Sequence, residues 1–338
     1  MSQERQTFLV SPQFDRMRLD SFLAAQTDMP ARSACAKYIE RGCVEINNTE
    51  ALSKAEHVRL GDRVSIVVET QQKPTVIMPN PQIPLDVRYE DEYLLVISKQ
   101  KGLVCHPSSG HIDDTLANAL VAHCGFDHLG KLQGDDRPGI VHRLDMDTTG
   151  LMVAAKDNET QEQLQDLIRL RDFDRRYLAL VQGYVSPDEG TITTGIARSK
   201  KNRLKMCVSK DPLSRQAITT FKTLDRFEAS AHDDGYSLLE CHLYTGRTHQ
   251  IRVHMRYTGH CLVGDPLYGK VGERINLHLK RQFLHSWHIN FDHPITHEHI
   301  ELFDTLPSDL YTALINLRPR SMGETSWGAI LYNKLNIQ

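Results

Sequence analysis

The sequence predicts an α+β fold in two parts, a small N-terminal domain followed by a larger domain on a largely antiparallel or mixed sheet. Its 338 residues exceed the roughly 100–200 residues of a typical domain, which predicts two domains. In the second part, segments with the period-two pattern of strands outnumber those with helical spacing. Strands and helices do not alternate regularly, as a doubly wound parallel sheet would require.

A small domain is predicted over residues 15–70, as two helices packed on a short sheet. Apolar residues at helical spacing predict the first helix over 17–23, and a basic second helix follows over 31–41. The pattern then changes to period two, which predicts a hairpin turn at Asn47-Asn48 and a last strand near 64–67.

A linker and a large domain follow. Four prolines between residues 71 and 84 predict a semi-rigid linker. The large domain is predicted over 85–320, and residues 321–338 form a C-terminal tail, for which a docked helix and a loose segment are both open. Strands are predicted at 93–97, 150–155, 177–181 and 236–244, and helices at 160–170 and 248–257.

The composition is that of an ordinary globular protein, with 40% hydrophobic and 25% charged residues. No apolar run approaches the roughly 18–20 residues that span a bilayer, and the polar N-terminus lacks a signal-peptide pattern, so a cytoplasmic location is expected. The seven cysteines contain no Cys-x-x-Cys pair and are expected to be reduced thiols. Neither a Gly-x-Gly-x-x-Gly nor a Walker loop occurs, which excludes these dinucleotide and nucleoside triphosphate motifs.

The distribution of charge is more informative than its sum. A net charge of −3 counts mildly against a nucleic-acid partner. Between Arg198 and Arg215, however, seven basic residues accompany one acid, which is the kind of local patch that phosphate contacts need. A solvated surface loop is the alternative interpretation of this run. The candidate RNA-binding residues within it are Lys200, Lys201, Arg203 and Lys205.

The densest cluster of polar residues lies at 137–150, just before an apolar strand. It includes His142, Arg143, Asp145 and Asp147. A loop with two carboxylates, an arginine and a histidine is typical of an acid/base or nucleophilic site, although a salt-bridged turn has the same composition.

A second cluster lies at 245–254, at the entry to a predicted helix. It contains Arg247, His249, Arg252 and His254 but no acid. Because an unpaired buried cation is costly, these arginines require an anion from elsewhere, either a phosphate or a carboxylate.

Several motifs, in the right order along nearly the whole chain, resemble those of the RluA-type pseudouridine synthases, in the RluD-like subgroup with an N-terminal S4 RNA-binding domain. The N-terminal part shares the S4 pattern of Arg-Leu-Asp, a basic second helix, Gly-x-Val-x-Val-Asn and Gly-Asp almost throughout. The sequence departs from the family at Gln100-Lys101, where Pro-Ala is usual. The matching motifs of the large domain are His142 to Asp145 with Thr148 to Gly150, Tyr177 to Val181 with Gly183, Gly246 to His254, Gly264 to Gly269, and Leu284-His285 with His293-Pro294.

The resemblance implies a cofactor-free, metal-free isomerisation of uridine to pseudouridine in structured RNA. It aligns Asp145 with the essential aspartate and Tyr177 with the active-site tyrosine. Arg252 is the expected partner of the aspartate, with Arg247 as the competing choice. Arg143 is our hypothesis for the side chain that replaces a flipped-out base, and His142 is expected to support the site. The S4 resemblance implies RNA contacts from Arg18, Arg32, Lys37 and Arg41.

Large-subunit (23S) ribosomal RNA is the expected partner and a monomer the expected state, with transfer RNA as an alternative target. Another alternative is a non-catalytic RNA-binding or ribosome-assembly factor that keeps the fold without the reaction. A third is a metallohydrolase, suggested by 17 histidines. His249 and His254 are five residues apart, however, whereas helical metal ligands are usually four apart.

Overall fold

The computed structural model describes residues 2–26, 29, 32–70, 77–108, 110–269, 272 and 275–335. The chain forms two compact units, Met1–Thr75 and Val76–Gln338, which we describe separately. The division falls within the predicted linker, of which residues 71–76 lie outside the described residues.

The first unit is a four-stranded antiparallel sheet in the order β1-β4-β2-β3, with two helices packed on it. Asn47 and Asn48 both have left-handed backbones, as the hairpin turn between β2 and β3 requires. The elements are β1 (Ser2–Leu9), α1 (Leu19–Ala24), α2 (Arg32–Glu40), β2 (Val44–Ile46), β3 (Thr49–Glu50) and β4 (Arg63–Thr70).

The sheet of this unit begins at Ser2, which differs from the predicted start at residue 15. Strand β1 pairs with β4 along its full length, from Ser2 opposite Thr70 to Leu9 opposite Arg63. Its sequence is polar until Phe8, so the apolar alternation of a strand is missing. An edge strand is held by main-chain hydrogen bonds to its neighbour, which side-chain patterns do not reveal.

A buried carboxylate joins the two helices of the first unit. Asp20 in α1 is 4% exposed, and its oxygens accept hydrogen bonds from Arg18 and Arg32. Burial raises the pKa of Asp20, but the two guanidinium groups more than reverse this and lower it to about 2. Two of the four predicted RNA contacts are therefore engaged inside the unit, whereas Lys37 and Arg41 are exposed.

We expect Asp20→Asn to destabilise the first unit by about 1–2 kcal/mol at pH 7, since it removes the charge that both arginines bind. The folded-state pKa lies below the usual 3.8, so the stabilisation is present above about pH 4 and is lost as the pH falls towards 2. Urea unfolding of the full chain measures this difference, with amide exchange in peptides from α1 and α2 as the signal that reports on the first unit.

The matched control is Glu40→Gln, because Glu40 forms an exposed ion pair with Lys54. Exposed pairs contribute about 0–1 kcal/mol, so this variant should stay close to wild type. Equal effects of the two substitutions, or a loss in Asp20→Asn that persists unchanged at pH 2, would contradict the assignment.

The second unit is built on a ten-stranded mixed sheet within the described residues, in the order β10-β9-β11-β12-β8-β13-β7-β6-β5, with β14 beside β13. Its neighbouring strands are antiparallel except for β7 and β13, which run parallel. The strands are β5 (Asp86–Glu90), β6 (Leu94–Lys99), β7 (Thr149–Ala155), β8 (Asp174–Gln182), β9 (Glu189–Arg198), β10 (Met206–Val208), β11 (Arg215–Phe227), β12 (Tyr236–Leu243), β13 (Leu284–Asp292) and β14 (His299–Phe303).

Helices cover both faces of this sheet, and they are α3 (Leu116–Cys124), α4 (Asn158–Leu170), α5 (Gln250–Tyr257), α6 (Ser308–Leu317) and α7 (Ser326–Lys334). On one face, Tyr177 and Ala179 of β8 share a core with residues of α3 and α5. On the other face, Leu178 and Leu180 share a core with α6 and α7. The predicted α+β class with a largely antiparallel, mixed sheet is confirmed.

The described part of the C-terminal segment contains helix α7, which is docked on the large sheet. Of the two alternatives that the sequence left open, the structure therefore shows the docked helix. The Thr325 hydroxyl donates to the main-chain oxygens of Thr223 and Leu224 in β11, and the Tyr332 hydroxyl donates to Asp225. A Cβ at Gly328 would lie 2.0 Å from the Leu224 oxygen, so only glycine allows this approach. Residues 336–338 of the predicted tail lie outside the described residues.

The predicted strands and helices of the second unit all occur, with ends shifted by at most three residues. The largest difference is in β8, which begins at Asp174 instead of 177. None of the helices within the described ranges combines the length and apolarity needed to cross a membrane.

Candidate active site

Three elements on one face of the large sheet bring the predicted catalytic residues together. Asp145 lies in the loop that leads into β7, which pairs with β13, and β13 pairs with the β8 strand that carries Tyr177. Helix α5 carries Arg252 and packs on the same core as Tyr177. A Cβ at Gly150 would lie 2.2 Å from the Ser286 oxygen, so glycine is needed where β7 meets β13.

Arg252 bridges two carboxylates at the centre of this site. Its Nη1 donates to Asp145 Oδ2 at 2.8 Å, and its Nε and Nη2 donate to the two oxygens of Asp265 at 2.7 and 2.9 Å. The side chain of Arg252 is 4% exposed and that of Asp145 17% exposed. Arg252 is therefore the arginine that contacts Asp145, and Asp145 is the more accessible of its two partners.

Electrostatics keep Arg252 and Asp265 ionised. Burial opposes the charge of Arg252, but hydrogen bonds and the charges of Asp265 and Asp145 reverse the effect and raise the pKa of Arg252. Burial likewise raises the pKa of Asp265, but Arg252 and the amides of Tyr268 and Leu267 lower it overall. The same guanidinium lies at hydrogen-bond distance from Asp145.

His249 and Tyr268 complete the polar wall around Asp145. His249 Nδ1 lies 2.8 Å from the Tyr268 hydroxyl, and His249 Nε2 lies 3.9 Å from Asp145 Oδ1. The Tyr268 ring lies under the Arg252 guanidinium, whose central carbon is 5.1 Å from the ring centre. Burial raises the pKa of the Tyr268 phenol, which remains protonated at neutral pH.

Two buried cations hold the main chain of the loop that carries Asp145. Lys99 Nζ donates to the Met146 oxygen and to two further main-chain oxygens, each at 2.9 Å. Arg281 Nη1 donates to the Asp147 oxygen at 2.9 Å, while its Nε and Nη2 bind Asp309. Burial lowers the pKa of Lys99 to about 8. These contacts fix loop carbonyls that no strand or helix satisfies.

Tyr177 lies on the site face of β8 and is buried. Burial is the main cause that raises its pKa, and the charge of Asp145 adds to it. Ser286, which lies opposite Tyr177 in the register of β8 and β13, partly offsets the effect through a hydrogen bond. The phenol is therefore protonated at neutral pH.

The other predicted site residues occupy different places. Arg143 is exposed and has no hydrogen bond or ion pair within the described part of the chain. Arg247 donates to the Gln216 main-chain oxygen instead of to Asp145. His142 packs near Phe173 in the core of the opposite sheet face, and its Nε2 accepts the Val153 amide. Burial lowers the pKa of His142 to about 3, so its predicted support of the site is indirect at most.

The metallohydrolase alternative finds little support in the histidines that suggested it. Both ring nitrogens of the buried His254 lie at hydrogen-bond distance from threonine hydroxyls, those of Thr194 and Thr219. Over the described ranges, the group with metal-ligand spacing is Glu90, His123 and Cys124, which lies mostly at the surface. The Lys156 ammonium already lies 2.7 Å from Glu90.

The basic stretch predicted from the sequence is a hairpin, residues 198–208, formed by the end of β9, a turn and β10. We call it the basic hairpin. Lys200, Lys201 and Arg203 are exposed on it. Its base touches the site, because the Met206 amide donates to the Tyr268 hydroxyl at 2.7 Å and Lys205 Nζ lies 5.9 Å from the Tyr268 ring centre.

Four residues of the site were not singled out from the sequence: Lys99, Asp265, Tyr268 and Arg281. Asp265 and Tyr268 fall in the Gly264 to Gly269 stretch, which the sequence identified only as a motif shared with the family. The requirement that Arg252 have an anion was a signal for Asp265, but the sequence alone does not say which carboxylate fills that role. Lys99 and Arg281 bind main-chain oxygens, and such contacts leave no pairing pattern in the sequence.

The fold is that of pseudouridylate synthases. A solved structure titled "Human RNA Pseudouridylate Synthase Domain Containing 1" superposes with a TM-score of 0.56 and 24% identity, over 77% of this chain and 98% of the other. A second, "Human RNA Pseudouridylate Synthase Domain Containing 4", gives 0.52 and 24%, over 69% and 93%. At this level of identity the two structures establish the architecture.

The family model for RNA pseudouridylate synthase matches residues 93–257, which include Asp145, Tyr177 and Arg252. "Uncharacterized RNA pseudouridine synthase YlyB" of Bacillus subtilis (strain 168) is 39% identical over 301 residues, 89% of this chain and 94% of that protein. "Ribosomal large subunit pseudouridine synthase D" of Zymomonas mobilis is 37% identical over 299 residues, 87% and 91%. The chain belongs to the RNA pseudouridine synthase family, as an enzyme of the RluA type.

We expect Lys99→Met to loosen the loop of Asp145, because the Met146 oxygen in that loop loses its donor, together with the Gln100 and Leu103 oxygens that tie Lys99 to its own segment. At pH 7, below its pKa of about 8, Lys99 is mostly an ammonium with three N–H groups for them. Amide exchange of residues 144–149 should rise by about tenfold, the equivalent of roughly one lost hydrogen bond.

Lys101→Met is the control for this prediction, since Lys101 is exposed and pairs with Asp309 at 3.2 Å. It should leave exchange in the loop unchanged. If Lys99→Met and Lys101→Met gave the same exchange rates for residues 144–149, the anchoring role of Lys99 would be refuted.

Proposed function

We propose that this enzyme converts uridines to pseudouridines in structured RNA, that large-subunit ribosomal RNA is its substrate, and that Asp145 is its catalytic carboxylate. The observation that carries the proposal is the 2.8 Å contact between Asp145 and the buried Arg252, on the sheet face that presents Tyr177. We further propose that the reaction uses neither a cofactor nor a metal, and that the enzyme acts as a monomer in the cytoplasm.

The chemistry is a net isomerisation. The C1′–N1 glycosidic bond breaks, the uracil turns over, and a C1′–C5 bond forms. C5 then loses its proton, and N1 ends with one, so atoms and electrons balance without an oxidant or reductant. The protein has to detach the base, hold it during the turn, and move one proton.

Asp145 is suited to the first step. A carboxylate there has three available roles, which are attack on the sugar, attack on the base, and removal of the 2′ proton. All three need the anion, and the Arg252 guanidinium lies within hydrogen-bonding distance of the carboxylate. Because Asp265 holds the guanidinium through two hydrogen bonds, Arg252 cannot turn away from Asp145 without breaking them.

Tyr177 is suited to hold the base. Its ring is an apolar platform on which uracil can stack while the glycosidic bond is broken. Because burial raises the pKa of the phenol, Tyr177 is a poor proton acceptor at neutral pH. We therefore assign stacking to Tyr177 and leave removal of the C5 proton to another group.

RNA binding is assigned to two surfaces. The exposed lysines and arginine of the basic hairpin lie beside the site and suit phosphate contacts that position the RNA. The first unit, whose helices and sheet follow the order of an S4-like RNA-binding domain, adds the exposed Lys37 and Arg41. Ribosomal RNA is favoured over transfer RNA because several relatives bear the name ribosomal large subunit pseudouridine synthase D.

We expect Asp145→Asn to abolish tritium release from large-subunit ribosomal RNA labelled at uridine C5, without added metal or nucleotide. The amide keeps the shape of the carboxylate but has neither its charge nor its nucleophilicity, so a loss of at least about 10⁴-fold is expected. Binding of the same RNA should change little, because phosphate contacts dominate affinity.

The control is Asp147→Asn, which changes a second carboxylate of the same loop that forms no ion pair with Arg252. It should retain most of the activity. Release by Asp145→Asn at the wild-type rate would remove Asp145 from the mechanism. Bound ribosomal RNA with no release by wild type, but release from transfer RNA, would overturn the substrate assignment.

We expect Arg143→Ala to reduce activity on folded RNA by about tenfold more than on a short single strand. A paired uridine must be flipped out, at a cost of a few kcal/mol, and we assign to the exposed Arg143 the role of filling the vacated stack. Tritium release from the two substrates measures the ratio. An equal loss on both would show that Arg143 does not act in base flipping.

A further inference from the structure

His249 lies between the Tyr268 hydroxyl and the free side of Asp145. It precedes α5 in a left-handed backbone conformation, with φ 57°, and its side chain is 16% exposed. Nδ1 is 2.8 Å from Tyr268 Oη, and Nε2 is 3.9 Å from Asp145 Oδ1. Arg252 occupies the other oxygen of Asp145. The two nitrogens of one imidazole thus face two different groups of the site.

The proton on the Tyr268 hydroxyl can be placed by counting donors. The Met206 amide can act only as a hydrogen-bond donor, and it donates to Tyr268 Oη at 2.7 Å. The other hydrogen-bond partner of this oxygen among the described residues is His249 Nδ1. Since a buried hydroxyl proton needs an acceptor, Tyr268 donates to Nδ1.

This direction places the imidazole proton. Burial lowers the pKa of His249, and a neutral imidazole carries one proton. With Nδ1 accepting from Tyr268, that proton lies on Nε2, which faces Asp145 Oδ1. The reverse tautomer would direct a lone pair at a carboxylate and leave the Tyr268 proton without an acceptor, so both neighbours favour the same arrangement.

We propose that Tyr268 is a positioning residue that fixes His249 as its Nε2–H tautomer, and that His249 holds the second oxygen of Asp145 when substrate closes the pocket. This inference rests on the proposed function of Asp145. The 3.9 Å separation exceeds a hydrogen bond, so the contact forms by a movement of less than about 1 Å, as is common when a site binds its substrate. Asp145 is then held on both oxygens, by Arg252 and by His249.

The basic hairpin enters this arrangement through Met206. Its amide occupies a lone pair of the Tyr268 oxygen, so the position of the hairpin favours donation by Tyr268 to His249. Contact of RNA phosphates with the hairpin and orientation of the catalytic carboxylate are thereby linked through one hydroxyl group.

The tautomer is tested directly by ¹⁵N NMR of imidazoles in the RNA-free enzyme at neutral pH. The His249 signal is identified by its absence in His249→Gln. We expect wild type to show a protonated Nε2 and an unprotonated Nδ1, and Tyr268→Phe to shift the signal towards the Nδ1–H form. A protonated Nδ1 in wild type, or no change in Tyr268→Phe, would overturn the proposal.

Tritium release tests the functional role. Tyr268→Phe keeps the ring beside Arg252 and should lower kcat by about tenfold with little change in KM, because the carboxylate is held less well. His249→Gln places an amide donor near the position of Nε2 without needing Tyr268, so its loss should be smaller. In the His249→Gln background, Tyr268→Phe should have no further effect on kcat.

Tyr236→Phe is the matched control, since Tyr236 is a buried tyrosine whose hydroxyl donates to the Ile275 main-chain oxygen. It should leave kcat unchanged. If the losses in kcat of Tyr268→Phe and His249→Gln multiplied in the double variant, the two residues would not act through one another, and the proposal would be overturned. Equal effects of Tyr268→Phe and Tyr236→Phe on kcat would also overturn it. Absence of release by wild type would refute the proposed function instead, and the NMR result would still decide the tautomer.

Discussion

The ionic bridge from Asp265 through Arg252 to Asp145 is the constraint on which the site depends. A buried guanidinium is tolerated only with its charge and its donors satisfied, and Arg252 meets this condition with two carboxylates from different segments. Asp265 is fully engaged, with two amides and two guanidinium nitrogens. Asp145 keeps more of its accessibility. Asp265 therefore serves to hold the arginine, whereas Asp145 is the carboxylate that a substrate could reach.

The loop that carries Asp145 shows how an irregular segment is made rigid. A strand satisfies its carbonyls through its neighbours, whereas this loop approaches β7 before any ladder begins. Lys99 and Arg281 supply the missing donors from the ends of their side chains. Burying an ammonium has a cost, visible in the lowered pKa of Lys99. This cost falls at the place where the main chain beside the Asp145 carboxylate is fixed, which is where a site requires accurate positioning.

Sequence reasoning succeeded where the signal was local and failed where it was spatial. The apolar run of β8 and the amphipathic α5 were readable, as was the excess of polar groups around Asp145. Strand β1 was missed because its pairing with β4 is carried by the main chain. His142 adjoins the catalytic motif in sequence, yet it lies in the core of the opposite sheet face. Neighbouring residues of a motif lie in the same loop, but their side chains can point to opposite faces of the sheet. Which face each side chain reaches depends on the folded backbone.

The same distinction explains why net charge is a poor guide to a nucleic-acid partner here. At −3 the chain has more acids than bases, but many charges of both signs are consumed internally. Arg18 and Arg32 bind Asp20, and Arg281 binds Asp309. Paired charges of this kind attract phosphates only weakly, because the electric fields of two opposite charges in contact nearly cancel beyond a few ångströms from the pair. The basic hairpin, by contrast, exposes Lys200 and Lys201 close to Tyr268 of the site. A protein can thus be acidic overall and still present a positive surface beside its candidate active site.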